Sequence, residues 1–258
     1  MKIRCLSDLH LEFLKSDEIE DFIKQIPVGD EDEVCVLAGD VGNPYLQSYD
    51  VFMNFIRQSF KKTFVITGNH EYYNKWGIRK TNAYLDEYFR KFDNITFLNN
   101  TCEHYENHWF VGTTLWCKIT YPEFEINDVN IIPDFDHHTC NELNKLNVAF
   151  LTDALKTYDD CIIITHHLPS ESLIDPKYRT KRMEPYNQWF FTNLDDLIKL
   201  YSSYENKINC WIYGHTHTPS YCKKYGIPFL CNPIGYPREN KKPNFGRNIT
   251  FDSDFRKV

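Results

Sequence analysis

Five short apolar runs, each closed by side chains able to bind a metal ion, constrain this chain more than any other feature. KIRCL (2–6) leads into SDLH, with Asp8 and His10; VCVLA (34–38) leads into GD, with Asp40; TFVIT (63–67) leads into GNHE, with Asn69 and His70. CIIIT (161–165) leads into HHLP, with His166 and His167, and NCWIY (209–213) leads into GHTH, with His215 and His217. Apolar runs of this length bounded by turn formers read as buried strands. In open α/β sheets, ligands bind in the crevice outside the carboxyl ends of the strands, so five such ends bring their polar residues to one place. A sixth strand-like run is HWFVGTTLW (108–116).

Between these runs, apolar residues recur at steps of three and four and predict helices over 45–60, 143–158 and 190–201. The alternation argues an α/β domain, and a chain of 258 residues is expected to form one domain over 1–258. After 209 the rhythm changes. NCWIY, SYCKKYG, IPFLCN and NITFD, separated by turn residues, predict antiparallel strands that close the fold. Two polar stretches, 118–140 and 168–187, show no clear period, and each is long enough for a lid over a site or for a plain loop.

The donor types narrow the chemistry. Residues i and i+2 of an extended segment share a face, so His215 and His217 first read as a pair clasping one ion. Asp8, His10, Asp40, Asn69, His166, His215 and His217 together offer oxygen and nitrogen but no thiolate. They are too many for one tetrahedral zinc and suit two first-row divalent ions sharing a carboxylate. Two ions roughly 3.5–4 Å apart lower the pKa of a water and clamp both oxygens of an in-line displacement at phosphorus. The expected chemistry is phosphoester hydrolysis.

Charge narrows the partners. The net charge is −7, with both signs mixed along the chain, which disfavours capture of extended nucleic acid or an anionic membrane by bulk electrostatics. A small phosphoester or nucleotide is the expected substrate. No apolar run reaches 18 residues, and MKIRCLSD places a strand where a signal peptide would need to be, so a cytoplasmic location is expected. The nine cysteines include no CxxC pair and read as buried thiols.

The ordered set D-x-H, G-D, G-N-H-E, H and G-H-x-H resembles the calcineurin-like metallophosphoesterase superfamily from residue 8 to residue 217. The resemblance implies a four-layer α/β/β/α sandwich with two mixed central sheets and a metal site at the strand carboxyl ends. It implies two divalent ions, manganese first, with iron, zinc, nickel or magnesium as alternatives. One would be held by Asp8, His10 and His217, the other by Asn69, His166 and His215, with Asp40 bridging and a metal-bridging hydroxide as nucleophile. His70 matches the family's catalytic histidine, which faces the leaving-group oxygen. The family often shows G-D-x-x-D, whereas GDVGN puts Asn43 at the second aspartate; Asn43 is expected to accept the His70 N–H without the charge that would raise its pKa. The tail NPIGYPREN also resembles the closing segment of some small members.

Among the remaining polar residues, His167, Arg179 and Arg182 are candidate substrate contacts, the arginines on a basic loop with Lys177 and Lys181. Tyr72, Tyr73, Trp76 and Trp116 are candidates for stacking a base or an aryl group. His137 and His138 read as a helix start or loop, and His104 and His108 as part of a hairpin without a catalytic role. The alternatives to a phosphodiesterase or phosphatase are a metal-dependent nuclease, or a non-catalytic interaction scaffold on the same fold. A protein serine/threonine phosphatase is disfavoured, because GDVGNP lacks the phosphate-gripping arginine of that group.

Overall fold

Alternation along the strands builds the layers. In a computed structural model that describes residues 1–15, 17–30, 32–202, 207–239, 245 and 248–250, β1 (Lys2–Leu6) and β2 (Glu33–Ala38) pair in parallel. Their side chains divide by parity: Ile3, Cys5, Val34, Val36 and Ala38 face one apolar cluster, and Leu6, Cys35 and Leu37 face another. A strand buried on both faces must be apolar at nearly every position, which is why these segments read as continuous runs.

The first sheet continues in parallel through β3 (Lys62–Ile66) and β4 (Ile95–Phe97), and β11 (Asn248–Thr250) lies antiparallel against β1. The second sheet holds β5 (Thr101–Tyr105), β6 (His108–Thr113), β7 (Cys161–Thr165), β8 (Ile208–Tyr213), β9 (Ser220–Lys224) and β10 (Ile227–Cys231) in the order β5-β6-β7-β8-β10-β9. Its four inner strands are parallel, and β5 and β9 are antiparallel edges.

The two sheets pack face to face through Val36, Phe64 and Ile66 on one side and Phe110, Ile162 and Ile212 on the other. Phe64 stacks on Phe110 with ring centroids 3.9 Å apart. On the outer face of the first sheet lie α1 (Ile19–Ile23), α2 (Gln47–Ser59) and α3 (Gly77–Phe89), which bury Phe52, Met53, Leu85 and Phe89 there. On the outer face of the second lie α5 (His137–Thr157) and α7 (Asp195–Ser202), contributing Leu151, Leu155 and Ile198. The short α4 (Asn127–Ile131) and α6 (Glu184–Asn187) sit inside the two aperiodic stretches. This is the α/β/β/α sandwich with two mixed sheets that the resemblance implies.

Several boundaries differ from the sequence reading. The first helix is α2, as its period predicts, but α5 begins six residues before 143, because Asp136 caps it by accepting from Thr139 N at 2.8 Å. The third starts at Asp195 and not at 190: Phe191 pairs with Leu168, and Asn193 Oδ1 takes the Asp195 N–H. The closing strands are antiparallel only in part, since the hairpin at Tyr225–Gly226 places β10 between β9 and β8, where it runs parallel to β8. NITFD contributes β11 up to Thr250; its remaining residues lie outside the described ones. His137 opens α5, and His104 and His108 lie on the β5–β6 hairpin. All nine cysteines are free thiols, mostly buried. Among the described residues, no helix is long and apolar enough to cross a membrane.

Candidate metal centre

Register delivers the donors to one edge. Leu6 lies beside Leu37 and Ala38 beside Ile66, so the chain leaves β1, β2 and β3 at one level, with Asp8 and His10, Asp40, and Asn69 and His70 in the next residues. Ile164 lies beside Ile212 in the second sheet, which brings out His166 together with His215 and His217. Among the described residues three groups of donor atoms form, each within 4.8 Å: Asp8, His10 and His217; Asp40, His166 and His215; and, sharing His10 with the first, His10, Glu12 and His70. In the first, His10 Nε2 and His217 Nε2 are 2.9 Å apart, with Asp8 Oδ1 3.5 Å from the latter. In the second, His166 Nε2 lies 3.2 Å from both Asn69 Oδ1 and His215 Nδ1. Asp40 Oδ2 lies between these two groups, 3.3 Å from His166 Nε2 and 3.8 Å from His10 Nε2.

This convergence is bought with backbone strain. Asp8, His10, Asp40, His215 and His217 all have left-handed backbones, with φ of 53°, 49°, 52°, 67° and 47°. That region costs a residue with a Cβ roughly 1–2 kcal/mol, and such residues cluster at functional sites. Local hydrogen bonds hold them there. Leu9 N and His10 N both donate to Asp40 O, Gly235 N donates to Asp8 O, and His215 N donates to Asp8 Oδ1. The Glu71 carboxylate accepts from the N–H groups of Asp40, Val41, Gly42 and Gly68, tying the loop after β2 to the loop after β3. Only glycine fits at Gly68, where a Cβ would lie 2.2 Å from Asp40 Oδ1 and 2.6 Å from His166 Nε2.

The donor set fits divalent ions. Metal-bound imidazoles hand their far nitrogen to a carbonyl or carboxylate, which fixes the tautomer. Here His166 Nδ1 lies 2.9 Å from Ala38 O, His10 Nδ1 3.2 Å from Glu12 Oε1, and His217 Nδ1 3.1 Å from Glu239 Oε2. The remaining nitrogens of these rings face each other or a carboxylate, an arrangement that suits a cation between them. Burial pushes His215 well down, with His167 and His166 adding to it. Against its own burial, Asp40 is held well below the usual carboxylate range by His166 and His70.

His70, in the third group, stands beside the other two. Its Nδ1 lies 2.7 Å from Glu12 Oε1, its Nε2 lies 3.1 Å from the Tyr236 hydroxyl, and its ring stacks on Tyr73 with centroids 4.1 Å apart. Burial pulls the imidazole down, but Asp40 and Glu12 outweigh it and hold the ring up at about 9. The expected bond from His70 to Asn43 is not formed. Asn43 donates to Tyr73 O and accepts from Tyr45 N, because it is spent on the turn that opens α2. Glu12, two residues after His10 on a tight 3-10 turn, occupies that role with a full charge.

Sequence reading missed further residues. Asp128 on α4, buried, accepts from Asn69 Nδ2 at 2.8 Å and from the Tyr73 hydroxyl at 2.5 Å, which fixes the Asn69 amide with Oδ1 toward His166. Glu239 and Tyr236 come from the tail whose likeness had suggested only a closing segment. Glu12 was missed as well, and the signal that could have found it is its i+2 spacing from His10.

None of the three candidate substrate contacts is among the residues lining the cleft. His167 is buried with Nδ1 3.2 Å from Thr114 O, and burial pushes it down to about 3. The Arg179 guanidinium donates to the backbone carbonyls of Ile174 and Ser172. Arg182 is exposed and does not line the cleft. Tyr72 and Trp116 are core residues and Trp76 is exposed, which leaves Tyr73 as the aromatic of that set on the cleft wall.

A four-layer sandwich whose two sheets present histidines and carboxylates at one crevice defines a metal-binding α/β protein. The chain belongs to the calcineurin-like phosphoesterase family, whose family model matches residues 1–219. It is 32% identical over 286 residues to an uncharacterized protein of Acanthamoeba polyphaga mimivirus, covering 98% of this chain and 96% of that one. It is also 28% identical over 138 residues to an uncharacterized metallophosphoesterase of Helicobacter pylori, covering 53% of this chain and 34% of that protein. In fold it is similar to the phosphopantetheinyl hydrolase of Mycobacterium tuberculosis, with a TM-score of 0.74, 18% identity, and coverage of 98% of this chain and 96% of that one. Membership makes the general activity that of a phosphoesterase with divalent metals.

Proposed function

We propose that the chain hydrolyses a small phosphoester with two divalent cations, manganese first among them. Asp8, His10 and His217 would hold one, and Asn69, His166 and His215 the other. The observation that supports this best is the position of Asp40, whose Oδ2 stands within 4 Å of a histidine nitrogen from each group, so that one carboxylate serves both. When bound, two such ions lower the pKa of a water and take up charge on the phosphoryl oxygens.

The protein's own residues supply orientation and a proton. Asp128 turns the Asn69 amide so that oxygen, not nitrogen, faces the site. Glu12 holds His70 Nδ1, which leaves Nε2 turned toward Tyr236 and the cleft, where it can pass a proton to the departing oxygen. The cleft, about 390 Å³, falls within the range of small-molecule sites.

The test strips the protein with a chelator and restores Mn²⁺, Ni²⁺, Mg²⁺ or Zn²⁺ in turn, with p-nitrophenyl phosphate and bis-p-nitrophenyl phosphate as substrates. Turnover that requires added ion, with two ions per chain by elemental analysis, is expected. No turnover with any of the four ions, or a single bound ion at full activity, would overturn the reading.

A further inference from the structure

The two aperiodic stretches meet over the crevice and build its outer half. Residues 118–140 supply Ile126, and residues 168–187 with the following turn supply Leu168, Ile174, Tyr178, Met183 and Phe190, all lining the same cleft as Asp40, Asn69, His70, His215 and His217. The apolar wall begins at the donors themselves, for the Phe190 ring lies 4.8 Å from that of His215. Leu168 and Ile174 are buried, and Ile126, Tyr178, Met183 and Phe190 are half-buried, so the wall is a formed surface with open space in front of it.

None of the four basic residues of the adjoining segment lines the cleft: Lys181 and Arg182 are exposed, and the other two are held elsewhere. Arg179 is bonded to two backbone carbonyls, and Lys177 reaches Asp175 and Thr218. Carboxylates, in contrast, line the cleft: Asp40, Asp128 and Glu239. A substrate with several phosphates would bring its extra charge against carboxylates and apolar carbon. One with a neutral carbon chain would transfer that chain from water onto the wall.

We infer that this half of the cleft takes the non-reacting substituent of a phosphoester whose other alcohol is an uncharged, largely apolar chain. This assignment rests on the phosphoesterase reading of the metal centre. Each methylene moved from water onto apolar surface contributes about a three- to fourfold factor when fully buried, so five methylenes on a half-open wall amount to tenfold or more.

The experiment compares p-nitrophenyl methyl phosphate, p-nitrophenyl hexyl phosphate and the p-nitrophenyl ester of thymidine 5′-phosphate, which share reaction and leaving group. In parallel, calorimetry measures methylphosphonate and hexylphosphonate binding to the metal-loaded protein. The hexyl ester is expected to exceed the other two in kcat/KM by at least tenfold, mostly through KM, and hexylphosphonate to bind at least tenfold tighter than methylphosphonate. In Met183→Asp and Tyr178→Ser the hexyl-to-methyl ratio, which cancels any general loss of activity, falls toward one. Turnover of all three esters at similar rates, or preference for the thymidine ester, overturns the assignment and keeps the hydrolase. Tighter hexylphosphonate binding without turnover of any ester keeps the assignment and removes the hydrolase.

Discussion

Glu12 answers at the scale of one residue for the charge that Asn43 cannot supply. Its carboxylate reaches Nδ1 of both His10 and His70, and despite burial its own pKa is lowered by those two rings. If His70 gives a proton to the leaving oxygen, removing the Glu12 charge hurts slow leaving groups more than fast ones. Glu12→Gln is therefore expected to lower kcat about tenfold with a p-nitrophenyl ester and about a hundredfold with a phenyl ester. Asn43→Ala, which touches Tyr73 O and Tyr45 N instead, should leave that difference between the esters as it was. Equal losses on both esters in Glu12→Gln would assign the carboxylate to His10 rather than to His70. The same scale separates the two histidines of GHTH, which stand in different donor groups. On the two-ion proposal, elemental analysis of His217→Ala and of His215→Ala should each find about one ion per chain, against an expected two in the parent. Asp128→Ala should resemble His215→Ala, because the Asn69 amide then loses its anchor, while Asp128→Asn keeps an acceptor oxygen and should restore the ion.

At the scale of elements, what was legible follows from period. A strand buried on both faces, as β1, β2, β3, β7 and β8 are, must be an apolar run, and the turn that ends it must be polar; the seven donors lie on such turns and were visible as a set. Asp128 was not, because it sits on a helix of five residues within a stretch that carries no period. Glu239 and Tyr236 reach the site only through a tertiary return of the chain after β10, which no local pattern announces. The parallel pairing of β10 with β8, where antiparallel strands were expected, escaped for a similar reason: a hairpin fixes which strands are antiparallel neighbours but not which of them docks on the sheet. The start of α5 shows a local signal that outweighs period. Asp136, almost wholly in solvent, caps the helix through Thr139 N, and that hydrogen bond holds its carboxyl below the ordinary range. Asp136→Ala is expected to destabilise the protein by about 1 kcal/mol in urea unfolding. Since the folded-state pKa is the lower one, the difference between parent and variant is fully present above the unfolded carboxylate pKa and fades as pH falls through the folded value. A difference that grew on acidification would rule the cap out.

For the whole molecule, the centre is a joint between sheets. Asp8, His10, Asp40 and Asn69 follow strands of the first sheet, and His166, His215 and His217 follow strands of the second, so each of the two groups they form draws on both. Without an ion, the folded chain still bears the left-handed residues and the buried imidazoles, whose nitrogens face one another 2.9 and 3.2 Å apart. An ion that binds the folded chain and not the unfolded one stabilises it by about 2.7 kcal/mol at a hundred times its dissociation constant, hence by about 5 kcal/mol for two. At roughly 2–4 °C per kcal/mol for a chain of this size, calorimetry in Mn²⁺ against chelator should show Tm higher by about 10–20 °C. His217→Ala should keep about half of that rise. The core between the sheets, built on Phe64, Phe110 and their neighbours, offers the competing account, in which the sheets hold together without the joint. That account predicts equal Tm with and without ion, and such a result would reduce the donors to a surface that metals visit without bracing the fold.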